Sequence, residues 1–109
     1  MKKILIICAA GISSSLVAKK ATEYFKSHQY AGTVHAASVI VGSRSIAHDN
    51  YDLFLVSPQT RQYYAELSQI ALKHGKRIEN LPAQAYVANQ QGIEILCTMI
   101  ENLLNEDYV

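Results

Sequence analysis

At 109 residues the chain has room for one domain with a buried core of its own, and not for two ordinary ones. Half of the residues are hydrophobic and 17% are charged, a composition that belongs to compact globular domains and excludes a disordered chain. The formal net charge of +1 gives no support to nucleic-acid binding: Lys19, Lys20 and Lys26 on one predicted helix are balanced by Glu101, Glu106 and Asp107 near the end of the sequence.

The first predicted strand is Lys3 to Ile7, a run whose apolar centre reads as a buried parallel strand. A helix follows from about Ser14 to Ser27, with Val17, Ala21, Tyr24, Phe25 and His28 at near-helical spacing and Tyr30-Ala31-Gly32 as its terminator. The second strand runs from about Thr33 to Val39. Gly42-Ser43-Arg44-Ser45 then caps a short helix through His48, and Asp49-Asn50 marks a turn. Leu53-Phe54-Leu55-Val56 is uninterrupted apolar and is predicted to be a central strand covered on both faces; Ser57-Pro58-Gln59 stops it. A third helix from about Thr60 to Lys73 places Tyr64, Leu67, Ile70, Ala71 and His74 on one side and is closed by Gly75. Arg77 to Asn80 is predicted as a short edge strand before Pro82. The last helix, from near Asn89 to Asn105, carries an apolar stripe of Ile93, Leu96, Cys97, Ile100, Leu103 and Leu104.

Alternation of strand and helix from end to end predicts an α/β fold: an open four-stranded parallel sheet in the order 2-1-3-4, flanked by helices on both faces. That order puts a topological switch beside the first strand, and ligands of such sheets bind outside the carboxyl ends of the strands at the switch. Cys8 falls there, with Pro58 and Gln59 expected to flank it as a possible part of the pocket.

Cys8 is followed by Ala9, Ala10, Gly11, Ile12, Ser13, Ser14 and Ser15. The small residues let the backbone curl around a tetrahedral group, and the three serines add hydroxyl donors to the free N–H groups of a helix start. Such a turn suits a phosphate, and the field of the helix terminus favours a thiolate over a thiol. A thiolate so placed is a nucleophile able to carry a phosphoryl group. Two plainer readings stand beside this one: Cys8 as a buried, inert small hydrophobe, and the serines as helix caps only. Cys97, inside the last apolar stripe, is read as core packing. His28, His35, His48 and His74 are scattered without metal-ligand spacing, so no metal site is assigned.

Two cysteines are too few for a disulfide framework and point to a reducing compartment, here the cytoplasm. Met1-Lys2-Lys3 before Ile4 to Ile7 mimics the start of a secretory signal, but the apolar stretch stops after a few residues. No apolar run approaches the ~20 residues that cross a bilayer, so direct membrane insertion is not expected.

The loop is similar to that of the low-molecular-weight protein tyrosine phosphatases, whose pattern is Cys, five residues, Arg, then Ser or Thr. Ser14 stands at the arginine position here. Without a guanidinium to clamp phosphoryl oxygens, hydrolysis of a phosphotyrosine is disfavoured and a carrier is favoured. A closer resemblance is to the lactose/cellobiose-type enzyme IIB of the bacterial sugar phosphotransferase system, whose pattern Cys-x-x-Gly-x-Ser-Thr/Ser-Ser is matched by Cys8, Gly11, Ser13, Ser14 and Ser15. Pro58-Gln59 resembles the family's Gly-Pro-Gln, with Ser57 replacing the glycine. Tyr86 corresponds to a Tyr-Gly before the last helix, but Val87 follows it.

The resemblance covers essentially residues 1–109 as a single enzyme IIB domain, with a sheet similar to that of the small phosphatases. It implies that Cys8 receives a phosphoryl group from a phosphohistidine of enzyme IIA and passes it to a sugar held by the membrane permease, enzyme IIC, with no metal or bound cofactor required. The implied sugar is a β-linked disaccharide such as cellobiose or chitobiose, or lactose. The rivals are a thiol-dependent redox or arsenate-reductase-like protein, which needs a resolving cysteine near Cys8, a relative of the small phosphatases, and a binding module that only holds an anion in the loop.

Overall fold

Seven residues, Lys2–Cys8, form β1 in the computed structural model, which describes residues 1–9 and 12–105, with only the backbone of Ile12 and Ser13. After it come α1 (Ile12–Ser27), β2 (Gly32–Ser38), α2 (Val39–His48), β3 (Leu53–Val56), α3 (Tyr64–Lys73), β4 (Ile78–Asn80) and α4 (Gln90–Asn105). The strands pair in parallel in the order β2-β1-β3-β4, as the alternation predicts. β4, which begins at Ile78 rather than Arg77, is an edge strand.

Period-two alternation along β1 and β3 divides the core into two faces. Ile4, Ile6, Leu53 and Leu55 pack with Val17, Ala21 and Phe25 of α1 and with Ile93, Leu96, Cys97 and Ile100 of α4. Leu5, Ile7, Phe54 and Val56 pack with Ile46 of α2 and with Leu67 and Ala71 of α3. β3 and the Ile4-to-Cys8 part of β1 are therefore apolar at every position, because neither face of the sheet meets water there.

Two helix starts depart most from the sequence reading. α2 begins at Val39, not near Gly42: Ser38 is its N-cap, its Oγ accepting from the Val41 N–H at 3.3 Å. Gly42 lies inside the helix, where a Cβ would come 2.7 Å from Cγ1 of Ile7. Its lack of a side chain brings α2 against the end of β1. Between β3 and α3, Pro58–Tyr63 forms a 3₁₀ turn, so the α-helix itself starts at Tyr64. α1 ends at Ser27 through Gln29, which takes the left-handed conformation (φ 59°), while the Tyr30 N–H donates to the Phe25 carbonyl at 2.8 Å. Gly75, at φ 67°, closes α3 as expected, with the Lys76 N–H donating to the Ala71 carbonyl at 2.8 Å.

Candidate functional site at the carboxyl end of the sheet

Cys8 is the last residue of β1 and lies opposite Ser38, the last residue of β2 and the cap of α2. α1 and α2 both start at this end of the sheet, and neither has an acidic residue in its first turn. No carboxylate occurs in segments 8–22, 38–48 or 57–63 either. Two helix starts without acidic residues in their first turns thus meet at this end of the sheet, an arrangement suited to an anion.

The backbone leading into Cys8 is clamped. The Ile7 carbonyl accepts from the Ser57 N–H at 2.9 Å and from Thr60 Oγ1 at 3.2 Å. Ser57 Oγ and Thr60 Oγ1 share a further hydrogen bond of 2.8 Å, and both residues are fully buried. Thr60 departs from helical geometry (φ −113°, ψ 16°), which places its hydroxyl against β1. Sequence reading missed this pair and treated Ser57 as part of the segment that stops the third strand and as a glycine replacement. Its signal was present: Ser and Thr three apart, around Pro58 at a strand end, are turn-forming residues that bond nearby backbone.

The residues singled out in the sequence fall in different settings. Cys8 is 1% exposed. That burial is also what an inert packing cysteine shows, so what distinguishes Cys8 is its place between the starts of α1 and α2. Ala9 is exposed and, with Ser38, Val39, Ile40 and Tyr63, lines a cleft of about 270 Å³ beside the cysteine. Ala10, Gly11 and the side chains of Ile12 and Ser13 lie outside the described residues. Ser15 is exposed, whereas Ser14 is fully buried and its Oγ shares a 2.7 Å hydrogen bond with the Tyr86 hydroxyl. Pro58 is half-buried and Gln59 exposed.

Cys97 is fully buried within the α1/α4 face, its Sγ 3.7 Å from the Ala21 carbonyl. Burial first, and then the charge of Glu101, push its thiol up to about 12. The four histidines are exposed, and among the described residues no three His, Cys, Asp or Glu side chains are grouped to hold a metal. No helix among the described residues is long and apolar enough to cross a membrane.

Residues 3–97 match the family model described as the lactose/cellobiose-specific IIB subunit of the phosphotransferase system. No curated protein matches the chain. Among solved structures, the chain is similar to the lactose-specific IIB component domain of the phosphoenolpyruvate:carbohydrate phosphotransferase system from Streptococcus pneumoniae. The TM-score is 0.79 at 20% identity, over 93% of this chain and 95% of that one. It is also similar to the cellobiose-specific phosphotransferase IIB component from Borrelia burgdorferi, with a TM-score of 0.73 at 27% identity over 96% and 93% of the two chains.

Proposed function

The chain belongs to the lactose/cellobiose-specific IIB family of the sugar phosphotransferase system, and from that membership we propose that Cys8 is its covalent phosphoryl carrier. The observation that carries this reading is the position of Cys8, at the carboxyl end of a central strand beside the topological switch, between two helix starts that lack carboxylates.

Two in-line displacements at phosphorus make up the cycle. In the first, the Cys8 thiolate attacks the phosphorus of a phosphohistidine on enzyme IIA; the S–P bond forms, the P–N bond breaks, and its electron pair returns to the imidazole. In the second, a hydroxyl of a sugar bound to enzyme IIC attacks the same phosphorus and the S–P bond breaks. The thiolate leaves, and the hydroxyl proton goes to a base on the permease side. The sugar class is a β-linked disaccharide such as cellobiose or chitobiose, or lactose, and the exchange takes place on the cytoplasmic side of the membrane.

Catalysis here is positioning and charge stabilisation more than acid-base chemistry. Amides from Ala9 to Ser15 supply donors to the equatorial oxygens, and the Ser57–Thr60 clamp on Ile7 fixes the strand end from which the sulfur projects. The unmodified Cys8 is 1% exposed, so donor and acceptor reach the sulfur by displacing its neighbours as they dock. Ile40, 69% exposed, and Tyr63, 39% exposed, offer apolar contact beside the cleft for both partners in turn. Cys97, buried in the core with its thiol held protonated, is poorly placed to act as the resolving cysteine of a redox enzyme.

The test is a relay assay. Incubated with phosphoenolpyruvate and the upstream phosphotransfer proteins, the wild type is expected to gain the mass of one phosphoryl group, and Cys8→Ser to gain none. Labelling retained by Cys8→Ser places the carrier elsewhere.

A further inference from the structure

Ser14 stands where the small phosphatases place an arginine, and the fold joins it to a residue 72 positions away: Ser14 Oγ and the Tyr86 hydroxyl lie 2.7 Å apart, with Ser14 fully buried. We propose that Tyr86 is a positioning residue for phosphoryl transfer at Cys8, its phenol fixing the Ser14 hydroxyl so that this hydroxyl is aimed at the phosphoryl oxygens. The inference rests on the carrier reading of Cys8 and extends it to a residue outside the loop.

Three observations carry it. Ser14 is the third residue of α1, in its first turn at the carboxyl end of the sheet. The segment bearing Tyr86 is a rigid support. The Leu81 N–H donates to the Val56 carbonyl at 2.8 Å, Leu81 and Ala85 are fully buried, and the Tyr86 N–H donates to the Ala83 carbonyl at 3.0 Å. Beyond it, the Gly92 N–H donates to Asn89 Oδ1 at 2.8 Å, and a Cβ on Gly92 would come 2.2 Å from the Val87 carbonyl oxygen. The phenol is thus held between a buried strand exit and a closely packed helix start. Finally, a phenol is a stronger proton donor than an alcohol, so beside an anion the pair orders itself with Tyr86 donating to Ser14 Oγ. Ser14 then turns its own proton toward the phosphoryl group, and the chain of two hydroxyls is polarised in one direction. A neutral relay of this kind holds a dianion without the charge that an arginine brings to hydrolysis.

Tyr86→Phe, Ser14→Ala and the double variant separate this from a merely structural bond. Each is phosphorylated through the upstream proteins and followed by intact mass, by the ³¹P shift of the phosphocysteine and by the rate of transfer onto the sugar in permease-containing vesicles, with the thermal midpoint measured alongside. Each single variant should still label at Cys8, show a displaced ³¹P resonance and transfer about tenfold more slowly, the double being no slower than either single. Wild-type transfer and an unchanged ³¹P shift in Tyr86→Phe overturn the inference, whatever happens to the midpoint. Additive losses in the double variant overturn it as well. Absence of label in the wild type overturns the carrier reading itself, and this inference with it.

Discussion

Cys8 and Cys97 differ less in exposure than in what surrounds them. Cys97 sits among Ala21, Leu96 and Ile100 in the middle of a helix–sheet interface, whereas Cys8 ends a strand between the starts of α1 and α2. Cys97→Ser puts a hydroxyl into that apolar site and is expected to cost about 1–3 kcal/mol in urea unfolding while leaving the phosphoryl mass gain intact. The pH dependence follows from the raised thiol. Its folded value of about 12 lies above the ordinary 9.0, so its contribution is complete below pH 9 and is lost as pH rises from 9 toward 12. Stability measured over that window should fall more steeply for the wild type than for Cys97→Ala. At this scale the places of the two cysteines, Cys8 at a strand end and Cys97 within an apolar helix stripe, were legible in the apolar pattern. The sequence concealed the Ser14–Tyr86 and Ser57–Thr60 bonds, since hydroxyl partners are chosen by tertiary approach and leave no periodicity behind.

Glycines set how the elements reach the site. Gly42 lets α2 rest on Ile7, the residue before Cys8, and Gly42→Ala should destabilise by about 1–3 kcal/mol as Ile7 shifts to accommodate a methyl group. Gly92→Ala should be the more damaging of the two in the same unfolding assay, because the obstacle there is the Val87 backbone oxygen rather than a side chain. Strand order, helix number and the closing glycine of α3 were all readable from alternation, turn residues and apolar stripes. The start of α2 was not, for Val39-Ile40-Val41 is β-branched throughout and extends the strand pattern, while the Ser38 cap and the contact of Gly42 with Ile7 select the helix. The 3₁₀ turn at Pro58–Tyr63 escaped for a related reason: Thr60 gives up helical geometry in order to bond the Ile7 carbonyl.

The two faces of the core share β1 and β3, whose alternate residues point to opposite sides of one sheet. Neither face can melt and leave the other intact, so urea unfolding followed by far-ultraviolet circular dichroism and by tyrosine fluorescence should give coincident transitions. Phe54→Ala, emptying a fully buried position on the α2/α3 face, should shift both probes together and cost about 3–5 kcal/mol. The same architecture brings the starts of α1 and α2 to one end of the sheet, and that convergence is the setting on which the proposed phosphoryl relay at Cys8 depends.

The most direct measurement is ³¹P nuclear magnetic resonance of the protein after phosphorylation by its upstream partners, taken on the wild type, Cys8→Ser and Cys97→Ser. One protein-bound thiophosphate ester resonance is predicted in the wild type and in Cys97→Ser, with none in Cys8→Ser. A resonance that survives in Cys8→Ser, or a phosphohistidine signal in place of the phosphocysteine one, would contradict the assignment of Cys8 as the carrier.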